Sequence, residues 1–191
     1  IQGDPNRKLS TRPQMKKDEW QKFCEKISEL GKYLEDEGMP LAYHHHMGTV
    51  IETQKDTERL IENTHESVKL TLDTGHMLFA KGDSKSILQN YYERILHVHC
   101  KDIRKQVLEK SLKEDLSFRG AFLEGAFTVP GDGCIDYQPL FNVLKNNNYS
   151  GWLVVEAEQD PAKANPLEYA KIGYNYLTDT LKKSEIEIYK N

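Results

Sequence analysis

Apolar residues recur at Trp20, Phe23, Ile27, Leu30 and Leu34, three or four positions apart in an otherwise charged stretch. This spacing predicts a helix over 14–37 that Gly38 ends. The pattern then changes period. "PLAYHH" (40–45) reads as a buried strand, and "DTERLIENTHES" (56–67) as a second helix with Leu60 and Ile61 on one face. "VKLTLDTGH" (68–76) alternates apolar and polar positions as a strand does. A helix is expected over 84–93, a third strand in "RILHVHCKD" (94–102), a helix over 137–147 and a fourth strand in "GWLVVEAE" (151–158). Between 103 and 136 the chain reads as part helix and part turn-rich loop. The last helix carries its own start signal, with Asn165 at N-cap, Pro166 at N1 and Glu168 at N3.

A helix followed by four strand–helix units implies parallel strands joined by right-handed crossovers. Four units make either a small open sheet or half of an eight-stranded barrel, whose usual size is about 250 residues. No glycine-rich phosphate loop follows any strand, which weighs against an open nucleotide-binding sheet.

Composition narrows the field further. The chain has 191 residues, 38% of them hydrophobic, as suits a soluble domain with a packed core. Acids and bases are interspersed with a net charge of −4, so no basic face is offered to nucleic acid or an anionic membrane. No apolar run reaches the roughly 20 residues of a bilayer span. Cys24, Cys100 and Cys134 form no C-x-x-C pair, which argues against a thiolate zinc site or a disulfide framework and fits a reducing cytoplasm. The loop-like opening "IQGDPN" reads as the middle of a longer protein.

The candidate chemistry lies where the strands end. The first finishes in His44, His45 and His46, and the second in Asp73 with His76 just beyond. The third ends in His97 and His99, then Lys101 and Asp102, and the fourth in Glu156 and Glu158. A triplet of histidines inside the chain is too short and too far from a terminus for a purification tag. In a parallel barrel the carboxyl ends of the strands converge on one mouth, where active sites sit. One inward side chain per strand gives His44 or His46, Asp73, His99 and Glu156. Such nitrogen and oxygen donors suit Mn²⁺, Co²⁺, Fe²⁺ or Zn²⁺ with positions left open for substrate.

Taken singly, each residue has a plainer reading. A strand-end histidine is commonly a satisfied structural group, Asp73 a turn residue and Asp102 a helix cap. Residues 131–133 suit a tight turn, with Asp136 capping the helix that follows. His45 and His65 read as structural or exposed, and Glu52, Glu58 and the C-terminal lysines as a solvated helix face. The coincidence at all four strand ends carries the metal expectation.

The stretches "YHHHMGT" (43–49), "DTGH" (73–76), "HVHCKD" (97–102), "FTVPGDG" (127–133) and "GWLVVEAEQDPAKANPLEYA" (151–170) resemble the inosose dehydratases of inositol catabolism, among the xylose-isomerase-like (β/α)8 TIM barrels. The resemblance implies that residues 1–191 are the C-terminal part of a single barrel domain, about strands five to eight. It places the metal set on His44, Asp73, His99 and Glu156, with Mn²⁺ or Co²⁺ the expected occupant. Sugar epimerases of the superfamily usually carry glutamate where this chain has His44, a departure that agrees with elimination rather than symmetrical epimerisation. The implied reaction is loss of water from 2-keto-myo-inositol to give a trihydroxycyclohexane-1,2-dione, a lyase reaction. Its proton carriers are expected among His76 and His46, assisted by Lys101 and Glu158, since imidazole with a pKa of about 6.5 serves as acid or base near neutrality. The division between base and acid stays open. The expected partner is a small cyclic polyol ketone, without nucleic acid or membrane, in a chain that can form a homo-oligomer. The alternatives are a ketose epimerase or isomerase, a DNA-repair endonuclease on the same fold, and a non-catalytic metal-binding fragment.

Overall fold

The computed structural model describes residues 4–189, organised around the strand β2 (Val68–Asp73). Its flanks are β1 (Leu41–His44) and β3 (Ile95–Cys100). Beyond β3 in the chain, β4 (Asp102–Ile103) and β5 (Phe127–Thr128) form a small antiparallel ribbon, and β6 (Leu153–Val155) returns beside β3. The main sheet runs β1-β2-β3-β6 with every neighbouring pair parallel. Parallel pairing demands crossovers. The first is α2 (Gln54–Asn63), and the second is α3 (Thr74–Phe79) with α4 (Ser84–Tyr91). The third holds α5 (Lys105–Lys113), α6 (Phe118–Leu123) and α7 (Gln138–Asn146). Helix α1 (Lys17–Asp36) precedes β1, and α8 (Pro166–Lys183) follows β6 with Asn165 accepting from Leu167 N and Glu168 N, the expected cap.

Strand alternation divides the sheet into a packing face and a chemical face. Leu70, Leu72, Val98 and Cys100 are buried against Ile87 and Leu88 of α4, Phe141 and Leu144 of α7 and Leu177 of α8. Thr71, Asp73, His97 and His99 point the other way. A strand covered on one side by aliphatic side chains and on the other by buried polar ones reads as a near-continuous buried run, as parallel sheets do.

Several element ends differ from expectation for identifiable reasons. The strand read through His76 stops at Asp73, whose side chain accepts the His76 backbone N–H and starts α3. The helix read to Ser67 stops at Asn63, where the Arg94 guanidinium takes up the Ile61 carbonyl of the last turn together with the His65 and Val68 carbonyls beyond it. The strand read over 151–158 is three residues long, leaving Glu156 and Glu158 just past its end.

Asp102 is not a helix cap. It is buried, with Oδ1 accepting from Ile103 N at 2.7 Å and Ile135 N at 2.9 Å, and Oδ2 from Gly131 N at 3.4 Å. It fastens the "GDG" turn, and a Cβ at Gly133 would lie 2.2 Å from Oδ1, so no side chain fits there. Asp102→Ala strands these N–H groups, and a loss of about 3 kcal/mol in urea unfolding is expected. Asp136 accepts from Gln138 N from one residue ahead of the cap position, which Tyr137 holds without a side-chain cap hydrogen bond. Glu52 is buried rather than solvated. It accepts from Gly48 N at 2.6 Å and pairs with Arg12, which fixes the turn after the histidine triplet. His65 and the C-terminal Lys182 and Lys183 are exposed. Cys24, Cys100 and Cys134 are free thiols. Among the described residues no helix is long and apolar enough to cross a membrane.

Candidate active site

Asp73 ends the central strand and holds two groups of side chains in register. Its Oδ2 faces His44 Nε2 at 3.3 Å, His99 Nδ1 at 3.5 Å and Lys101 Nζ at 3.2 Å. The strands deliver these side chains side by side, because His44 pairs with Thr71 and His99 with Asp73 in the parallel ladders. The donor atoms of His44, Asp73 and His99 lie within 4.8 Å of one another. Glu156 joins from one side, with Oε2 2.6 Å from His99 Nδ1 and Oε1 3.4 Å from Lys101 Nζ.

The His99–Glu156 contact tests whether this set fits a metal ion. His99 Nδ1 and Glu156 Oε2 are buried and close, yet they are out of line for a hydrogen bond and neither finds another partner. Two buried donor atoms in contact with no hydrogen bond between them suit a cation shared between them. The electrostatics agree. The Asp73 and Glu156 carboxylates raise the His99 pKa to about 9 against the effect of burial. Burial would raise the Asp73 pKa, but His76, His44, His99 and Lys101 hold it well below the usual carboxylate range. The ionised carboxylates favour a cation here, and a divalent ion that displaces the His99 proton would find a nitrogen–oxygen donor set.

The second group lies two or three residues further along the chain, with His46 beyond His44, His76 beyond Asp73 and Glu158 beyond Glu156. His46 Nε2 is 3.4 Å from Glu158 Oε1, and His76 Nε2 is 3.3 Å from Glu158 Oε2. The two imidazoles meet at a tilt of 43° with centroids 3.8 Å apart, with Phe118 5.0 Å from His46 and Phe127 5.1 Å from His76. His46 Nδ1 donates to the Met47 carbonyl at 2.7 Å, which leaves Nε2 as the exchanging nitrogen. Burial disfavours its charged form, yet Glu158 and the Met47 carbonyl together raise its pKa. His76 is sealed from solvent, and burial lowers its pKa to about 4. Burial would raise the Glu158 pKa, but His46, His76 and Lys101 hold it far below its ordinary value.

Lys101 joins the two groups. Its side chain is 0% exposed, and Nζ contacts Asp73, Glu156 and Glu158 as well as His76 Nε2 at 3.0 Å. Such a buried ammonium is tolerable because three carboxylates face it, and they raise its pKa despite burial. Its backbone is pinned by Thr74 Oγ1, which donates to Lys101 O at 2.7 Å and accepts from Lys101 N, and by Tyr137 OH. Its stem passes Gly75, where a Cβ would lie 2.7 Å from Lys101 Cγ. The glycine of "DTGH", inside a helix that alanine would favour, is the sequence signal of this passage.

All eight expected residues, His44, His46, Asp73, His76, His99, Lys101, Glu156 and Glu158, therefore meet at one end of the sheet. His45, left without a role from sequence, also has one. It is fully buried, and burial lowers its pKa to about 3, so it stays neutral and accepts from Asp73 N at 3.2 Å through Nε2. His45→Phe leaves that N–H unpaired. We expect stability to fall by about 1–3 kcal/mol and metal affinity about 10- to 100-fold, read by urea unfolding and by competition with a chelating dye.

Comparison with known proteins agrees with this geometry. The chain is 50% identical to an inosose dehydratase of Clostridium beijerinckii over 163 residues, 85% of this chain and 55% of that protein. It is 46% identical to the rhizopine catabolism protein MocC of Rhizobium meliloti over 169 residues, 88% of this chain and 52% of that protein. The chain thus spans just over half the length of these relatives. Among solved structures, the probable 3-DHS dehydratase AsbF of Bacillus anthracis superposes with a TM-score of 0.66 at 18% identity, over 93% of this chain and 61% of that one, a likeness of fold. The model of the xylose isomerase-like TIM barrel matches residues 5–180, and the chain belongs to that family.

Proposed function

We propose that this chain is about strands five to eight of an eight-stranded barrel that dehydrates 2-keto-myo-inositol to a trihydroxycyclohexane-1,2-dione in the cytoplasm. The observation that carries the reading is the division of the strand-end residues into two adjacent sets. One set gathers His44, Asp73 and His99 and suits a divalent ion, and the other sets His46 and His76 on Glu158 beside the Lys101 ammonium and suits proton transfer. The identity with inosose dehydratases supports the choice of substrate.

His44, Asp73, His99 and Glu156 would hold the ion; their nitrogen and oxygen donors suit Mn²⁺, Co²⁺, Fe²⁺ or Zn²⁺, and the family resemblance favours Mn²⁺ or Co²⁺. When bound, a divalent ion polarises the ketone and acidifies the neighbouring C–H. The chain's own residues supply the rest. Elimination needs a hydrogen taken from the carbon beside the carbonyl and a proton given to the departing hydroxyl, because hydroxide leaves poorly. His46 moves a proton at Nε2, with its tautomer set by the Met47 carbonyl and with Glu158 as its partner. Both side chains are about a quarter exposed and open to substrate, at 27% and 26%. His76 and Lys101 are sealed from solvent and act by holding Glu158 in place. Phe118 and Phe127 give the site apolar walls beside the imidazoles.

The test is to incubate the protein with 2-keto-myo-inositol, with chelator and then with Mn²⁺ or Co²⁺ restored, and to follow product mass. A metal-dependent product lighter by one water is expected. A product of unchanged mass means isomerisation and defeats the reading.

A further inference from the structure

The site contains a second set of side chains with metal-binding chemistry. The donor atoms of His46, His76 and Glu158 lie within 4.8 Å of one another, the same closeness as in the His44–Asp73–His99 set. Two imidazoles and a carboxylate are a common donor set for Zn²⁺, Mn²⁺ or Co²⁺. What distinguishes this set is that a cation already stands in it. Lys101 Nζ is 3.0 Å from His76 Nε2 and 2.9 Å from Glu158 Oε2, two of the atoms a metal ion would use.

We propose that the Lys101 ammonium is a built-in replacement for a second metal ion, so that His46, His76 and Glu158 form a latent metal site that opens when this charge is removed. The inference rests on the reading of His44, Asp73, His99 and Glu156 as the primary metal site.

Three observations support it. The first is position: Nζ touches carboxylates of both sets, Asp73 and Glu156 on one side and Glu158 on the other, where a bridging second cation would sit. The second is charge. Asp73, Glu156 and Glu158 bring three negative charges, which one divalent ion and one ammonium balance to zero. A second divalent ion beside the ammonium would leave an excess of positive charge in a buried place, where like charges repel strongly. The third is permanence. The Thr74 and Tyr137 hydrogen bonds hold the lysine backbone, and the tight passage beside Gly75 confines its stem. Unlike an ion, it is not lost to a chelator.

The test counts metal per chain by mass spectrometry after loading with Zn²⁺ or Co²⁺ and removing excess. One ion is expected for the natural chain and for Lys101→Arg, two for Lys101→Met, and one again for Lys101→Met combined with His76→Ala. Should Lys101→Met not fold, Lys101→Gln removes the same charge and reads the same increment. Two ions in the natural chain overturn the inference, as does a Lys101→Met count equal to that of the natural chain or an added ion that survives loss of His76. No ion in the natural chain but one in Lys101→Met leaves the latent site standing and overturns the primary-site reading instead.

Discussion

Asp73→Ala abolishes divalent-metal binding and lowers the dehydration rate by about a thousandfold or more, since a lost metal ion removes several kcal/mol of transition-state stabilisation. Asp73 Oδ2 is the atom shared by His44, His99 and Lys101, so no neighbouring carboxylate substitutes for it. The same change removes the acceptor that starts α3, which adds about 1 kcal/mol of instability. Asp73→Asn separates the two effects. Its side-chain oxygen still caps the helix, so that part of the loss is spared, while the lost charge weakens the ion's hold and removes one counter-charge of the buried Lys101. Metal titration and urea unfolding on both variants, beside the activity, make the comparison. A metal-depleted Asp73→Ala protein with unimpaired turnover contradicts the scheme.

His46→Gln has a different signature. Loss of a positioned proton carrier lowers turnover by about 10²- to 10⁴-fold, while metal affinity stays within a few-fold because His46 belongs to the other set. The natural chain and the variant are compared at saturating metal, with metal affinity measured separately. Added imidazole is expected to restore part of the rate in His46→Ala, where the vacated space is larger. Equal loss of metal binding and turnover in His46→Gln would show that the two sets are one.

The sequence made the strand ends legible because each chemical residue sits where a two-residue alternation breaks off. Asp73, His99 and Glu156, with His44 or His46, emerge from that pattern, and a parallel α/β sheet emerges from the strand–helix order, whereas the choice of His44 and of the barrel rests on the family resemblance. Three features were not legible, each for a physical reason. The role of Lys101 depends on partners 25 to 57 positions away, which no local pattern encodes. His45 was passed over because its contact is with a backbone N–H on the next strand. Glu52 looked solvated because its partners, Gly48 N and Arg12, belong to loops rather than to a periodic element. The over-long reading of β2 has a similar origin, since Asp73 ends a strand and begins a helix in one residue.

That double duty of Asp73 bears on how such a site can diverge. A lineage that no longer needs the ion cannot simply discard this carboxylate, because the helix behind it would lose its start and the lysine one of its counter-charges. Asparagine is the one-step change that keeps the start, so a metal-free descendant should pass through it. The acid should persist at this position long after its neighbours have drifted, preserved as much by architecture as by chemistry.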